Sequence, residues 1–317
     1  MIIDLPDTTV SKISRALVSV REEGGAVALG RVLTLIILTR EGALEEVIEA
    51  ANDASREHPM RVIVLMIDGG SETDSRLDAQ IRVGGDAGAS EVVTLRAFGE
   101  AGGSNLESLV TGLLLPDAPV VVWWPNKTPE NPSTTSIGRI AQRRITDAAT
   151  KSDPQAWVAA LGQNQAPGDT DLAWTRLTHW REQLAAVLDQ PPYEPVTGVE
   201  VRGAATSPST ALLAAWLRLM LDVPVDWRYL PEDEWSEGIK SVRLTRPSGE
   251  VVLERSSPAV ACLTQPGQPL HDLVLPRRSL RECLAEELRR LDPDVLYGRV
   301  ITEGWELLEP ATQETHG

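Results

Sequence analysis

This sequence has little cysteine, little histidine and almost no lysine. Its two cysteines, Cys262 and Cys283, in 317 residues make no disulfide framework, and their spacing fits no metal site. They read as two separate thiols, with a redox-switchable pair as the alternative. The four histidines, His58, His179, His271 and His316, stand in no HExxH or comparable ligand spacing. No G-x-S-x-G elbow is present, and no glycine pattern is a cofactor fingerprint, so no metal and no cofactor is expected. The longest apolar stretches, VLTLIILT (32–39) and APVVVWWP (118–125), are too short to span a bilayer. The N-terminal segment carries Asp4 and Asp7 and has neither signal nor transit character. The expected location is the cytoplasm.

A basic excess is also missing. The chain holds 46 acidic and 30 basic residues, a net charge of −16. Residues 1–150 hold 21 acidic against 14 basic, and residues 151–317 hold 25 against 16. So even a spread serves solubility and excludes a surface for nucleic acid or anionic membrane, which needs clustered cations.

What the chain does have is tryptophan and arginine: nine Trp beside three Tyr and one Phe, with 26 arginines among the 30 basic residues. Codon bias of a GC-rich genome is one reading of the arginine excess. Both residue types are also enriched where protein interfaces concentrate their binding energy.

Hydrophobic patterning sets the fold class. Apolar runs at 31–39, 61–67 and 118–125 read as buried strands, as do 80–83 and 91–97 around a Gly-rich turn. They alternate with helices at 41–58 and 104–115, and residues 7–21 add a helix before them. Buried strands alternating with helices predict an α/β domain with a mostly parallel sheet flanked by helices. Residues 137–149 read as a helix. The boundary is expected near 150–168, giving domains 1–150 and 151–317. In the second, a helix followed by a loop over 151–169 precedes a long helix at 170–189 and a strand at 196–203. A helix at 207–221, hairpins at 240–256 and 259–275, and helices at 277–291 and near 293–308 complete a mixed α+β domain.

Three stretches draw attention. DLAWTRLTHWREQ (171–183) puts Ala173, Leu177, Trp180, Leu184 and Leu188 on one helical face, so Trp180 belongs to the core. Trp174, Arg176 and Arg181 lie off that line: Trp174 reads as core or inter-domain contact and the arginines as solvated or paired to carboxylates, with a docking surface formed by all three as the alternative. WWPNKTPENP (123–132) follows the carboxyl end of a buried strand, where open α/β sheets bind ligands. Trp123 and Trp124, with Arg143 and Arg144 beyond the loop, are further docking candidates. The third feature is a pair of glycine-containing turns that open helices. Gly102, Gly103 and Ser104 form one, and Ser207, Ser209 and Thr210 the other. Backbone N–H groups at such starts can hold an anion; ordinary capping is the plainer reading. The glycine-rich segment 24–30 precedes a strand and reads as a turn.

Several of these stretches, taken in order, carry a resemblance. DLPDTTVSKISRALVSVREEGGAVALGRVLTL, EAANDASREHPMRVIVL, VVWWP, RRITDA and DLAWTRLTHWREQLA are similar to the glucose-6-phosphate dehydrogenase assembly protein family, OpcA, in its actinobacterial form. The likeness runs over residues 1–305. It implies a non-enzymatic partner that promotes the active oligomer of glucose-6-phosphate dehydrogenase in the oxidative pentose phosphate pathway. It assigns no role to any single residue. The helix starts keep a second reading open: a sugar-phosphate-binding protein or enzyme, or a sugar phosphate acting as effector.

Overall fold

The computed structural model describes residues 1–23, 31–67, 75–84, 91–99 and 106–313, which fall into two units. The first holds Met1–Asp147, Gly168–Thr170 and Leu280–Pro293; the second holds the rest. Two segments expected in the second domain, 168–170 and 280–293, therefore fold with the first.

The first unit runs β1 (Ile2–Leu5), α1 (Val10–Glu23), β2 (Leu33–Thr39), α2 (Leu44–Ser55), β3 (Met60–Ile67), β4 (Arg76–Val83) and β5 (Glu91–Phe98). It continues with α3 (Leu106–Thr111), β6 (Val120–Trp123), α4 (Ser136–Arg139), β7 (Arg143–Thr146) and β8 (Asp169–Asp171), whose last residue belongs to the second unit. The strands form one sheet in the order β1-β4-β5-β3-β2-β6-β7-β8. From β5 to β7 all neighbours are parallel, while β4 and β1 add antiparallel pairings. The pattern follows from side-chain chemistry. LTLIILT of β2 is almost wholly buried, as a strand covered on both faces must be. RLDAQIRV of β4 buries only alternate residues, Leu77, Ala79 and Ile81. Helix α1 buries Ile13, Leu17 and Val20 at helical spacing, each worth about 1.5–3 kcal/mol. The chain winds outward from β2 through β3 to β5, then crosses to β6 and β7 on the other side. The sheet's topological switch point thus lies between β2 and β6.

The expected helix at 137–149 is corrected here. It stops at Arg139, and 143–146 is a strand. Two guanidiniums explain the change, because consecutive strand residues point to opposite faces and each finds a buried carboxylate. Arg143 Nε donates to Glu287 at 2.9 Å and Nη1 to the Asp292 carbonyl at 2.8 Å. Arg144 pairs with Asp169, and its Nη1 donates to the Ala141 carbonyl at 2.9 Å. Both arginines are buried. Glu287 sits on the returning helix Leu280–Arg289, which packs its apolar side on α2. Beside β7, Arg144 N–H donates to the Gly168 carbonyl at 2.8 Å. Gly168 has φ +92°, and a Cβ there would stand 2.3 Å from the Gln142 carbonyl oxygen, so only glycine fits.

The second unit contains α5 (Pro154–Gln163), α6 (Leu172–Thr175), α7 (Thr178–Leu188), β9 (Gly198–Ala204), α8 (Pro208–Leu221) and β10 (Val225–Leu230). Then come β11 (Ile239–Arg246), β12 (Gly249–Arg255), β13 (Val260–Thr264), β14 (His271–Val274) and β15 (Thr312–Gln313). The sheet order is β14-β13-β12-β11-β9-β10-β15. A β9–α8–β10 crossover makes a parallel pair, and the antiparallel meander β11–β14 contains both expected hairpins. Strand β10 has no counterpart in the sequence reading; its Trp227 is buried and donates Nε1–H to the Glu309 carbonyl at 2.6 Å.

The single helix expected at 170–189 is three elements. Residues 169–171 are strand, and Asp171, completely buried, caps α6 by accepting from Ala173 N–H at 2.8 Å. Between α6 and α7 the ladder tightens, with Leu177 N–H bonding the Trp174 carbonyl. The Thr178 hydroxyl and Arg278 Nη1 both donate to the Thr175 carbonyl. Side chains competing for helix carbonyls bend a helix. The core stripe survives: Ala173, Leu177, Trp180 and Leu184 are all buried.

Arg143→Ala leaves Glu287 charged and buried and should destabilise the chain by ~3–5 kcal/mol in denaturant unfolding; Arg143→Ala with Glu287→Ala should lose less than the two single losses added. Gly168→Ala should cost roughly 1–2 kcal/mol for the left-handed backbone alone, and more for the Gln142 contact. An unchanged melting temperature would contradict it.

Candidate functional site

The proposed docking residues divide by burial. Trp123 is 0% exposed, Trp124 3%, Trp174 1%, Arg143 4% and Arg144 7%. These five are buried within their units, so a docking surface that presents their side chains is not what this fold offers, although Trp124 also lines a cleft. The two indoles of β6 and its end point to opposite faces and fill space on both. Trp174 donates Nε1–H to Asp294 at 2.9 Å, carries the Arg181 guanidinium 3.7 Å above its ring, and meets the Tyr297 ring at 6.0 Å. Large aromatic surface is worth most when dry. Arg176 and Arg181 are half-buried and reach the surface.

The first unit has a cleft at its switch point, about 500 Å³ in volume. Leu38, Thr39 and Arg40 approach it from the end of β2, and Trp124, Lys127 and Thr128 from the end of β6. The PNKTPENPSTTS loop builds the far wall. Thr39 donates its hydroxyl to Asn126 at 3.2 Å, and Thr135 caps α4 by accepting from Gly138 N–H at 2.9 Å. Among the described residues no carboxylate lines this cleft, while Arg40 and Lys127 stand at its mouth. Its chemistry suits an apolar group bearing negative charge.

The second unit has a cavity of about 350 Å³ at the start of α8. Ser207 and Ser209 line it, with Arg176, Trp180, Arg255, Arg277 and Arg278. Thr210, expected with the two serines, turns away. It is completely buried, and its hydroxyl packs on Gly203 of β9, where a Cβ would come within 2.4 Å of it. The other expected anion site, Gly102, Gly103 and Ser104, lies outside the described residues, as does the turn at 24–30. Sequence reasoning missed Arg255, Arg277 and Arg278, because they come from a strand end and a loop remote from α8. Among the described residues no group of three or more His, Cys, Asp or Glu side chains is placed to hold a metal ion, and no helix is long and apolar enough to cross a membrane. Cys262 and Cys283 form no disulfide.

Two family models match this chain. One, described as the glucose-6-phosphate dehydrogenase subunit N-terminal domain, matches residues 51–163. The other, the C-terminal domain of the same subunit, matches residues 167–301. A curated relative, the putative OxPP cycle protein OpcA of Synechococcus elongatus, is 30% identical over 152 residues, covering 44% of this chain and 34% of the relative. The chain thus matches about a third of that protein's length. Among solved structures, an oxidoreductase from Sinorhizobium meliloti aligns over 85% of this chain and 86% of its own, at 11% identity and a TM-score of 0.43. An oxidoreductase from Pseudomonas syringae aligns over 86% and 87%, at 11% identity and a TM-score of 0.37. Likenesses this distant say nothing of what the chain does. The two family domains follow one another in order and together take up most of the sequence: the chain belongs to the glucose-6-phosphate dehydrogenase assembly family, OpcA.

Proposed function

We propose that this chain binds glucose-6-phosphate dehydrogenase and favours its active oligomer at the entry to the oxidative pentose phosphate cycle. The observation that carries the reading is the ordered pair of family domains over residues 51–163 and 167–301. The chain supplies no chemistry of its own in this role. It works through differential affinity: a protein that binds the active state more tightly than the inactive one shifts the population towards it, and equal affinity shifts nothing. A stable complex buries about 1,600 Å². The uniform negative charge offers a complement to a basic partner surface and makes association faster at low salt. Of the seven residues first considered for contact, Arg176 and Arg181 are the two that reach the surface, and they are the proposed contributors.

Titrating the chain into glucose-6-phosphate dehydrogenase of the same organism should give saturable activation and a larger co-eluting species on a sizing column. Arg176→Ala combined with Arg181→Ala should weaken that activation by about tenfold in half-saturating concentration, in the range of an interface hot spot. Absence of both activation and co-elution with the wild-type chain would sink the proposal. Undiminished activation by the double variant would remove only the surface.

A further inference from the structure

The cavity at the start of α8 has an unusual charge balance. Of its lining residues, four are arginines and one, Glu237, is acidic. Arg277 takes the Glu237 carboxylate and, through Nη2, the Glu237 carbonyl at 2.7 Å. Arg278 bonds the Thr175 carbonyl at 2.8 Å. Arg255 is the informative one. It is 3% exposed, yet among the described residues no carboxylate pairs with it. Nη1 alone is used, donating to the carbonyls of Pro258 and Leu275. Nε and Nη2 donate to no described group. A Trp180 ring lies 5.5 Å from its guanidinium carbon, and burial lowers its pKa from the ordinary arginine value.

A buried charge without a counter-charge is costly, and proteins keep one where something else neutralises it. The surroundings indicate an anion. Helix α8 is 14 residues long, so its positive end faces the cavity with full effect. Its N-cap, Ser207, makes no side-chain bond to the first turn. A hydroxyl that caps nothing leaves that end open. Leu177, Trp180 and Ile239 supply apolar wall beside the cations.

The geometry points to a binding site for a small phosphorylated organic molecule in this cavity. Its phosphate lies between Arg255 and the first turn of α8, and its organic part against Leu177 and Trp180. Guanidinium and helix N–H donors are the usual partners of phosphate oxygens, and about 350 Å³ is room for a small ligand. The cavity shares Arg176 with the surface proposed for assembly, but ligand binding by the chain alone is measured without the dehydrogenase and survives that role's failure.

The test is calorimetric titration of the full chain, at constant ionic strength, with a hexose monophosphate, inorganic phosphate and the unphosphorylated hexose. The monophosphate should bind at submillimolar concentration, the free phosphate more weakly, and the hexose not at all. Ser207→Asp places a good helix cap beside the site, so the variant folds, but its carboxylate repels the anion. It should keep the melting temperature and lose about tenfold or more in affinity; Arg255→Gln should lose affinity likewise, and some stability with the bonds to Pro258 and Leu275. Absence of binding by both phosphate probes at millimolar concentration overturns the proposal. So does binding that Ser207→Asp leaves unchanged, which would put the anion elsewhere. Equal affinity for inorganic phosphate and the monophosphate overturns the assignment of an organic part.

Discussion

Two neighbouring arginines on one short strand hold the first unit together. β7 contributes Arg143 to one face of the sheet and Arg144 to the other. Arg143 reaches Glu287, 144 residues away, and Arg144 reaches Asp169, 25 residues away. Those two carboxylates stand on the segments that leave and re-enter this unit, Gly168–Thr170 and Leu280–Pro293. Thr170 joins the set by donating its hydroxyl to Glu287 at 3.4 Å. A buried ion pair adds little net stability against an apolar replacement, but breaking one side leaves a charge with no partner. The gain is in selection. Few pairings of three distant segments neutralise both guanidiniums, and every other pairing carries a heavy penalty. Arg61 and Glu91, also buried and 2.8 Å apart, do the same between β3 and β5.

Within that frame the parallel strands place the switch-point cleft. β2 and β6 stay paired to the end of β6, but the chain leaves their carboxyl ends in opposite directions, and the loops that follow border a gap. In the second unit the equivalent device is the β9–α8–β10 crossover, which aims the start of α8 at a cavity rather than at another strand. Each unit thus has a concave, cation-bearing place among its described residues.

The layout was legible where side chains answer to local rules. The apolar runs of β2, β3 and β6 can only be buried strands. Asp153 before Pro154 announces α5, and Pro247–Gly249 announces a hairpin. What was not legible depended on partners far away in sequence. Ile137, Ile140, Ala141, Ile145 and Ala148 keep helical spacing, so RRIT was read as helix. The decisive facts were carboxylates at 169 and 287, which no local pattern signals. Trp174 illustrates the same limit: off the core line of a straight helix, it is inside because the helix bends after Thr175 and because Asp294, Arg181 and Tyr297 enclose it. The α8 cavity was half legible, since Ser207 and Ser209 follow a strand and open a helix. Its arginines arrive from elsewhere.

Amide hydrogen exchange on Glu287→Gln, compared with the wild-type chain, tests the arginine pair most directly. The substitution keeps shape and removes the charge that Arg143 faces. If the pair fixes the path of the chain, exchange should rise together in 143–146, 168–170 and 280–293, while the β11–β12 hairpin keeps its protection. A rise confined to the returning helix would contradict this account and reduce Arg143 and Glu287 to a local contact.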